Sequence, residues 1–386
     1  MALYSDRQSN FNIRFFACYL LTAIILVGAP LVGMVLTSHD LERFTRFPPR
    51  PGYVIHAKDN WPLFFLGLTL FVSLIALWVK RALRAPKILD VRGAKGAFPL
   101  WGWLGLSLLL AAWGVSWNLL PVGQWLRNWS FTPLWLGFIL VLNALSKWRM
   151  GTCLLTSRPL SFWLLFPLSS VFWWYFEFLN RFVENWYYVG VETFGSLQYA
   201  LMASLAFSTV LPGVLSMNEL LKSVKFFEDA FIFEGLKGRR PRKDLALAVL
   251  LISVAGLGLM GLFPDYLFPL LWVSPLLVIC SLKVWFNVPN LLELVLASGN
   301  LGPVARLAAS ALACGLFWEM WNFWSYPKWV YSIPFVGQFK LFEMPILGYL
   351  GYLPFGLECA AVASILIPIE EIIGLGALGN RQSQAQ

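Results

Sequence analysis

FWWYFEFLNRFVENWYY, residues 172–188, places ten aromatic rings in seventeen positions, with the carboxylate of Glu177 set among them. So many rings in one run suit a segment that faces lipid and other rings more than one that faces water. The whole chain has the same character. It has 386 residues, 59% hydrophobic and 13% charged, whereas a soluble domain is closer to a quarter charged. A water-soluble core of this length could not enclose that much apolar sequence, so the fold class expected is an all-α, polytopic membrane protein. The formal charge of +9 then reports topology before it reports a partner, and no nucleic-acid partner is expected.

Apolar length predicts about ten spans, near 14–37, 61–80, 98–120, 129–147, 161–179, 197–217, 244–263, 266–284, 304–323 and 344–370. The first is too long for the apolar core of a signal peptide and is read as a retained span. With the N-terminus inside, 21 Lys and Arg residues fall in inside segments and 8 in outside ones. That asymmetry predicts both termini in the cytoplasm and a location in the cell's inner (plasma) membrane. The run GLKGRRPRKD, 235–244, is then a cytoplasmic anchor able to touch anionic lipid headgroups. His39 and His56, the chain's only histidines, fall in the first outside loop with Asp40 and Asp59 nearby. Two histidines far apart in a loop read as solvated polar residues, so no metal is expected. The five cysteines form no C-x-x-C pair, which removes the zinc and disulfide readings.

Two stretches resemble each other. FTPLWLGFILVLNAL, 131–145, aligns with FPLLWVSPLLVICSL, 268–282, and SSVFWWYFEFLN, 169–180, aligns with CGLFWEMWNFWS, 314–325. A second aromatic cluster follows each of the later pair, NWYYV at 185–189 and KWVYS at 328–332. The order predicts a tandem duplication of a four-span unit, with both copies oriented alike. The domain organisation expected is a two-span unit with a Pro-rich outside loop (1–97), a first repeat (98–220), a basic loop (221–243) and a second repeat (244–386). Ring-by-ring alignment sets Glu177 opposite Asn322, with Glu319 one turn deeper.

Acids inside spans are functional candidates, because a bare carboxylate in lipid costs several kcal/mol. Glu177 has Arg181 one turn on and could pair with it. Glu319 has no basic residue within helical reach, and Gly315, Glu319 and Asn322 form one stripe. Glu358 follows Pro354 and Gly356 deep in the last span. Asn143 adds a polar group in the fourth span and reads as a cross-helix hydrogen bond. The expected site is an aromatic-walled cavity with Glu319 and Glu358 as acids. Glu177, Asn180, Asn322, Trp173, Trp174, Trp318 and Trp321 would contact the ligand. The segments 184–198 and 325–344, aromatic and too short to span twice, would cap it from outside.

A carboxylic acid inside a cage of rings can donate a proton and stabilise a cation. That chemistry suits a lipid-like, hydrophobic small molecule, an isoprenoid among them. Proton-coupled transport uses the same intramembrane acids, and a non-catalytic assembly subunit would use the rings as a partner surface. Pro368-Ile369-Glu370-Glu371 resembles the Pro-x-Glu-Glu motif of the small membrane lycopene cyclases, which are also tandemly repeated. The resemblance covers about six residues, occurs once, and lacks the phenylalanine pair that follows in that family. It implies acid chemistry on an isoprenoid. No nucleotide, phosphate-loop or metalloprotease motif is present, and both histidines lie in a loop, so no cofactor is expected.

Overall fold

The computed structural model describes residues 2–37, 41–84 and 96–374. The long helices are α1 (Ala2–Leu36), α2 (Trp61–Arg84), α3 (Leu100–Ser116), α4 (Phe131–Met150), α5 (Pro159–Val183), α6 (Ser196–Phe207) and α7 (Val210–Leu221). They continue as α8 (Lys243–Leu259), α9 (Leu270–Phe286), α10 (Leu291–Ser298), α11 (Gly302–Phe323), α12 (Tyr352–Ala363) and the short α13 (Ile369–Ile373). Two strands, β1 (Trp186–Val189) and β2 (Lys328–Tyr331), pair into a ribbon at one end of the bundle.

Among the described residues, six helices are long and apolar enough to cross a membrane, or up to seven if the bent α9–α10 pair is one span. The six include α6 with α7 taken together (26 residues) and the stretch 346–363 that ends in α12. The ten expected stretches all carry helix, but not all meet that standard. Helices α3 and α8 have 17 residues each, and α11, though 22 residues long, carries Arg306, Glu319 and Asn322. The α9–α10 bend of 72° has a local cause. Asn287 ends α9 in a left-handed conformation (φ 53°), and the Asn290 side chain caps α10 by accepting from the Glu293 amide at 2.9 Å.

The bundle is built from close pairs. Helix α3 lies along α4, α8 along α9, and α11 along α12, while α7 touches α4, α5 and α11, and α1 crosses α8 and α9. Between apolar helices in lipid there is little hydrophobic drive, so close van der Waals contact has to hold them, and small residues allow it. At Gly356 of α12 a Cβ would stand 2.1 Å from the Leu307 carbonyl oxygen of α11. At Gly137 of α4 it would stand 2.6 Å from the Leu109 amide of α3. Helix α2 is peripheral by comparison, with Phe64 alone buried among its described side chains.

The α11–α12 contact therefore predicts a simple contrast. Gly356→Leu should lower the melting temperature in mild detergent by several degrees, an overpacking cost of about 1–3 kcal/mol. Gly28→Leu, where nothing lies within 4 Å, should leave it unchanged. Equal melting curves would show that the two helices do not meet at Gly356.

A ribbon over two buried carboxylates

Helix α5 stops because Glu184 turns left-handed (φ 50°) and its amide bonds back to the Asn180 carbonyl at 2.6 Å. The chain then runs straight into β1. Strand side chains alternate faces, so Trp186 and Tyr188 share one face of β1, and Trp329 and Tyr331 share one face of β2. The antiparallel register sets Trp186 opposite Tyr331 and Tyr188 opposite Trp329. Directly opposed residues point the same way, so one face of the ribbon carries four aromatic rings with polar tips.

Beneath that face lie two fully buried carboxylates. Glu177 Oε1 accepts hydrogen bonds from Tyr188 Oη at 2.6 Å, Trp186 Nε1 at 3.0 Å and Trp173 Nε1 at 3.2 Å. Glu319 Oε1 accepts from Tyr331 Oη at 2.8 Å and Tyr352 Oη at 2.9 Å. The ribbon phenols lie outside the spanning helices. Burial, and after it the neighbouring carboxylate, push both Tyr188 and Tyr331 well above the ordinary tyrosine value, so each stays an O–H donor. On each acid the second oxygen, Oε2, has no hydrogen-bond partner among the described residues.

Two asparagines clamp the ribbon. Asn180 donates to the Trp186 carbonyl at 2.8 Å and accepts from the Asn185 amide at 2.8 Å. Asn322 donates to the Trp329 carbonyl at 2.8 Å and accepts from the Trp329 amide at 3.0 Å. Each amide side chain thus takes the place of a neighbouring strand. Glu319 and Asn322 thus make contacts of the kind that Glu177 and Asn180 make. The same spacing, Glu-x-x-Asn followed by Trp-x-Tyr, stands in both stretches.

Between the ribbon, α5, α6 and α11 lies a mainly apolar cavity of about 160 Å³, comparable to the roughly 150 Å³ that holds a benzene ring. Trp173, Trp186, Tyr188, Trp318, Tyr331 and Tyr352 all line it. Every aromatic donor to Glu177 and Glu319 is therefore also a piece of its wall. Trp318 stacks on Tyr352, centroids 6.3 Å apart at 24°.

Not every expected contact is here. Trp174 turns to Ser204, bonding its Oγ at 2.9 Å, and packs edge-on against Phe207. Trp321 is 1% exposed and packs among Trp113, Trp135 and Phe138. Neither lines the cavity, nor do Glu177, Glu319 and Asn180 themselves, which stand behind the rings that do. Glu358 is also outside it. It is fully buried in α12, and neither of its oxygens has a partner among the described residues. Asn143 bonds Ser216 across to α7 at 2.8 Å, as a cross-helix link should. Arg181 does not pair with Glu177. Its guanidinium donates to the carbonyls of Phe44 and Arg46 and so ties α5 to the loop after α1. Tyr188, Tyr331 and Tyr352 were missed as site residues, although the alternating Trp-x-Tyr pattern pointed to the first two.

His56 sits 2.6 Å from the Asp265 carboxylate and 3.2 Å from the Glu184 carbonyl; His39 and Asp40 fall outside the described residues. The Pro-x-Glu-Glu stretch lies in α13 at the far end of the bundle, where Glu371 pairs with Arg158 and its carbonyl accepts from Lys222. It takes no part in the ribbon-end cavity.

Comparison with known family models, with curated proteins and with solved structures finds no match for this chain. The class rests on the fold and the site alone: a helical membrane protein with an aromatic cavity over two buried acids.

The donors predict unequal costs for removing the acids. Glu177→Leu strands three donors, each worth about 1–3 kcal/mol when left buried and unpaired, and should destabilise strongly. Glu358→Leu strands none and should cost little. Thermal unfolding of both variants in one detergent checks this, and equal losses would mean that Glu177 is not held as described.

Proposed function

We propose that this chain is a ten-span protein of the inner membrane, with both termini cytoplasmic, whose ribbon-end cavity binds and processes a lipid-like molecule. An isoprenoid is the class that the ring-lined walls suit best. The observation that carries this reading is the state of the two acids. Each has one oxygen held by aromatic O–H or N–H donors and the other without a partner among the described residues, behind the wall that those same donors give an apolar cavity. A carboxyl group held in one orientation can give or take a proton at its free oxygen. The surrounding indole and phenol faces can stabilise a positive charge by roughly 0.5–2 kcal/mol each. In this reading Glu319 is the acid, Glu177 its counterpart, and Trp173 and Trp318 line the path of the hydrocarbon.

A four-span duplication is part of the proposal. Four features support it. The two acids have matching ribbon tyrosine donors, and the two asparagines hold matching strands. The register Trp186↔Tyr331 and Tyr188↔Trp329 is what a two-fold axis through the ribbon would require. The pairing of α3 with α4 parallels that of α8 with α9. Repeats related in this way share one orientation in the membrane. The basic residues then set the ribbon end outside and the 235–244 loop inside, where it would meet anionic headgroups.

Proton-coupled transport is the second reading. Glu358 favours it, as a buried acid apart from the cavity with no donor on either oxygen among the described residues.

Mass spectrometry of small molecules co-purifying with wild type and with Glu319→Gln tests the first reading. One isoprenoid or lipid species should be enriched on wild type and altered in amount or identity on the variant. Bulk phospholipid alone, identical in both, would overturn it.

A further inference from the structure

The cavity has a chemically distinct mouth. Two cations line it, Arg127 and Lys328. Lys328 is already neutralised, because its ammonium pairs with Glu343. Arg127 is different. It lies in the turn Gln124–Asn128, and its guanidinium donates to two uncharged acceptors, Asn118 Oδ1 and Gln124 Oε1. Among the described residues it has no carboxylate partner, and its Nε is buried with no hydrogen-bond acceptor. The mouth therefore carries one unmatched positive charge and one unused donor beside an apolar cavity.

Those two properties select a ligand. An apolar molecule gains nothing from Arg127, and a small anion gains nothing from the rings. A molecule with an anionic head on a hydrocarbon tail uses both. We propose that the cavity's ligand is such an amphiphile, with a phosphate or carboxylate head bound by Arg127 and the tail directed inward between Trp173 and Trp318 toward Glu319. This rests on the lipid-binding reading above and adds the head-group chemistry to it. Arginine suits the task because its planar fork can give two parallel N–H bonds to one phosphate or carboxylate. The cavity's size fits as well. At about 160 Å³ it takes a few carbons of a chain, so a longer ligand would stay partly in the bilayer. Helix α6 is built for that boundary. Met202, Ala203 and Ala206 face the cavity, while Leu197, Leu201 and Leu205 are exposed.

The test uses the full chain in nanodiscs of phosphatidylcholine, with quenching of native tryptophan fluorescence as the readout. The probes are farnesyl phosphate, farnesol and inorganic phosphate. Wild type should bind farnesyl phosphate at least tenfold more tightly than farnesol, and inorganic phosphate should neither quench nor compete. Arg127→Gln should bring farnesyl phosphate down to the level of farnesol without changing farnesol binding. Lys328→Gln should keep most of the preference. Binding of farnesol with no preference for the phosphate, or a preference that survives Arg127→Gln, would overturn the head-group assignment and leave the lipid site standing. Competition by inorganic phosphate would overturn the requirement for a tail. Failure of both prenyl probes to bind wild type would overturn the lipid site and the head-group assignment together.

Discussion

A carboxylate buried among aromatic rings must find hydrogen-bond donors nearby, and here the donors are the rings themselves. Glu177 takes three and Glu319 takes two, all from Trp or Tyr side chains. Desolvating an acid without such partners costs several kcal/mol. The arrangement therefore constrains much more than two side chains. It requires the ribbon to sit directly over α5 and α11, with Trp186, Tyr188 and Tyr331 on its inner face. That in turn requires both helices to stop where they do and hand the chain to a strand. Asn180 and Asn322 secure the hand-over by satisfying strand amides and carbonyls that the two-stranded ribbon leaves unpaired.

The cavity follows from the same constraint. Large rings that point their polar tips at a carboxylate must point their faces elsewhere, and four-ring closure over two helices leaves space that the faces line. The polar ends of the wall are occupied by the acids, so what remains open to a ligand is mostly hydrocarbon-like. Polar character returns at the mouth, in Arg127 and Lys328, and of these only Lys328 is paired with an acid among the described residues.

Charge elsewhere is handled differently. At the far end of the bundle Arg306 is 3% exposed, yet it bonds Asn218 at 3.0 Å and the Ile373 carbonyl at 2.8 Å. Lys222 and Arg158 both reach Glu371. These groups tie α13 to the helices around it, which gives the Pro-x-Glu-Glu stretch a structural task remote from the aromatic cavity. Glu358 stands apart from both networks, surrounded by packing and without donors among the described residues.

The helical membrane class was legible in sequence because it depends on quantities that add along the chain. Apolar length and the scarcity of charge predict helices in lipid whatever their neighbours do. The importance of Glu177 and Glu319 was legible for the same reason, since an acid in an apolar run is costly wherever the run packs. Their partners were not. Arg181 is one helical turn from Glu177, but the fold sends it to Phe44 and Arg46, while the donors to Glu177 come in part from a strand that begins only after the helix has ended. Tyr352 reaches Glu319 from another helix altogether. Trp174 and Trp321 have the same composition and local setting as Trp173 and Trp318, and only their rotation about the helix axis, set by packing, keeps them out of the cavity. By itself, the sequence determined which segments had to be helical and apolar and which acids would need partners. Only the tertiary structure decided who most of those partners are, because hydrogen bonds are directional and short, and apart from Trp173, one turn from Glu177, the donors are brought to the acids by the ribbon and by α12 and not by their spacing along the chain.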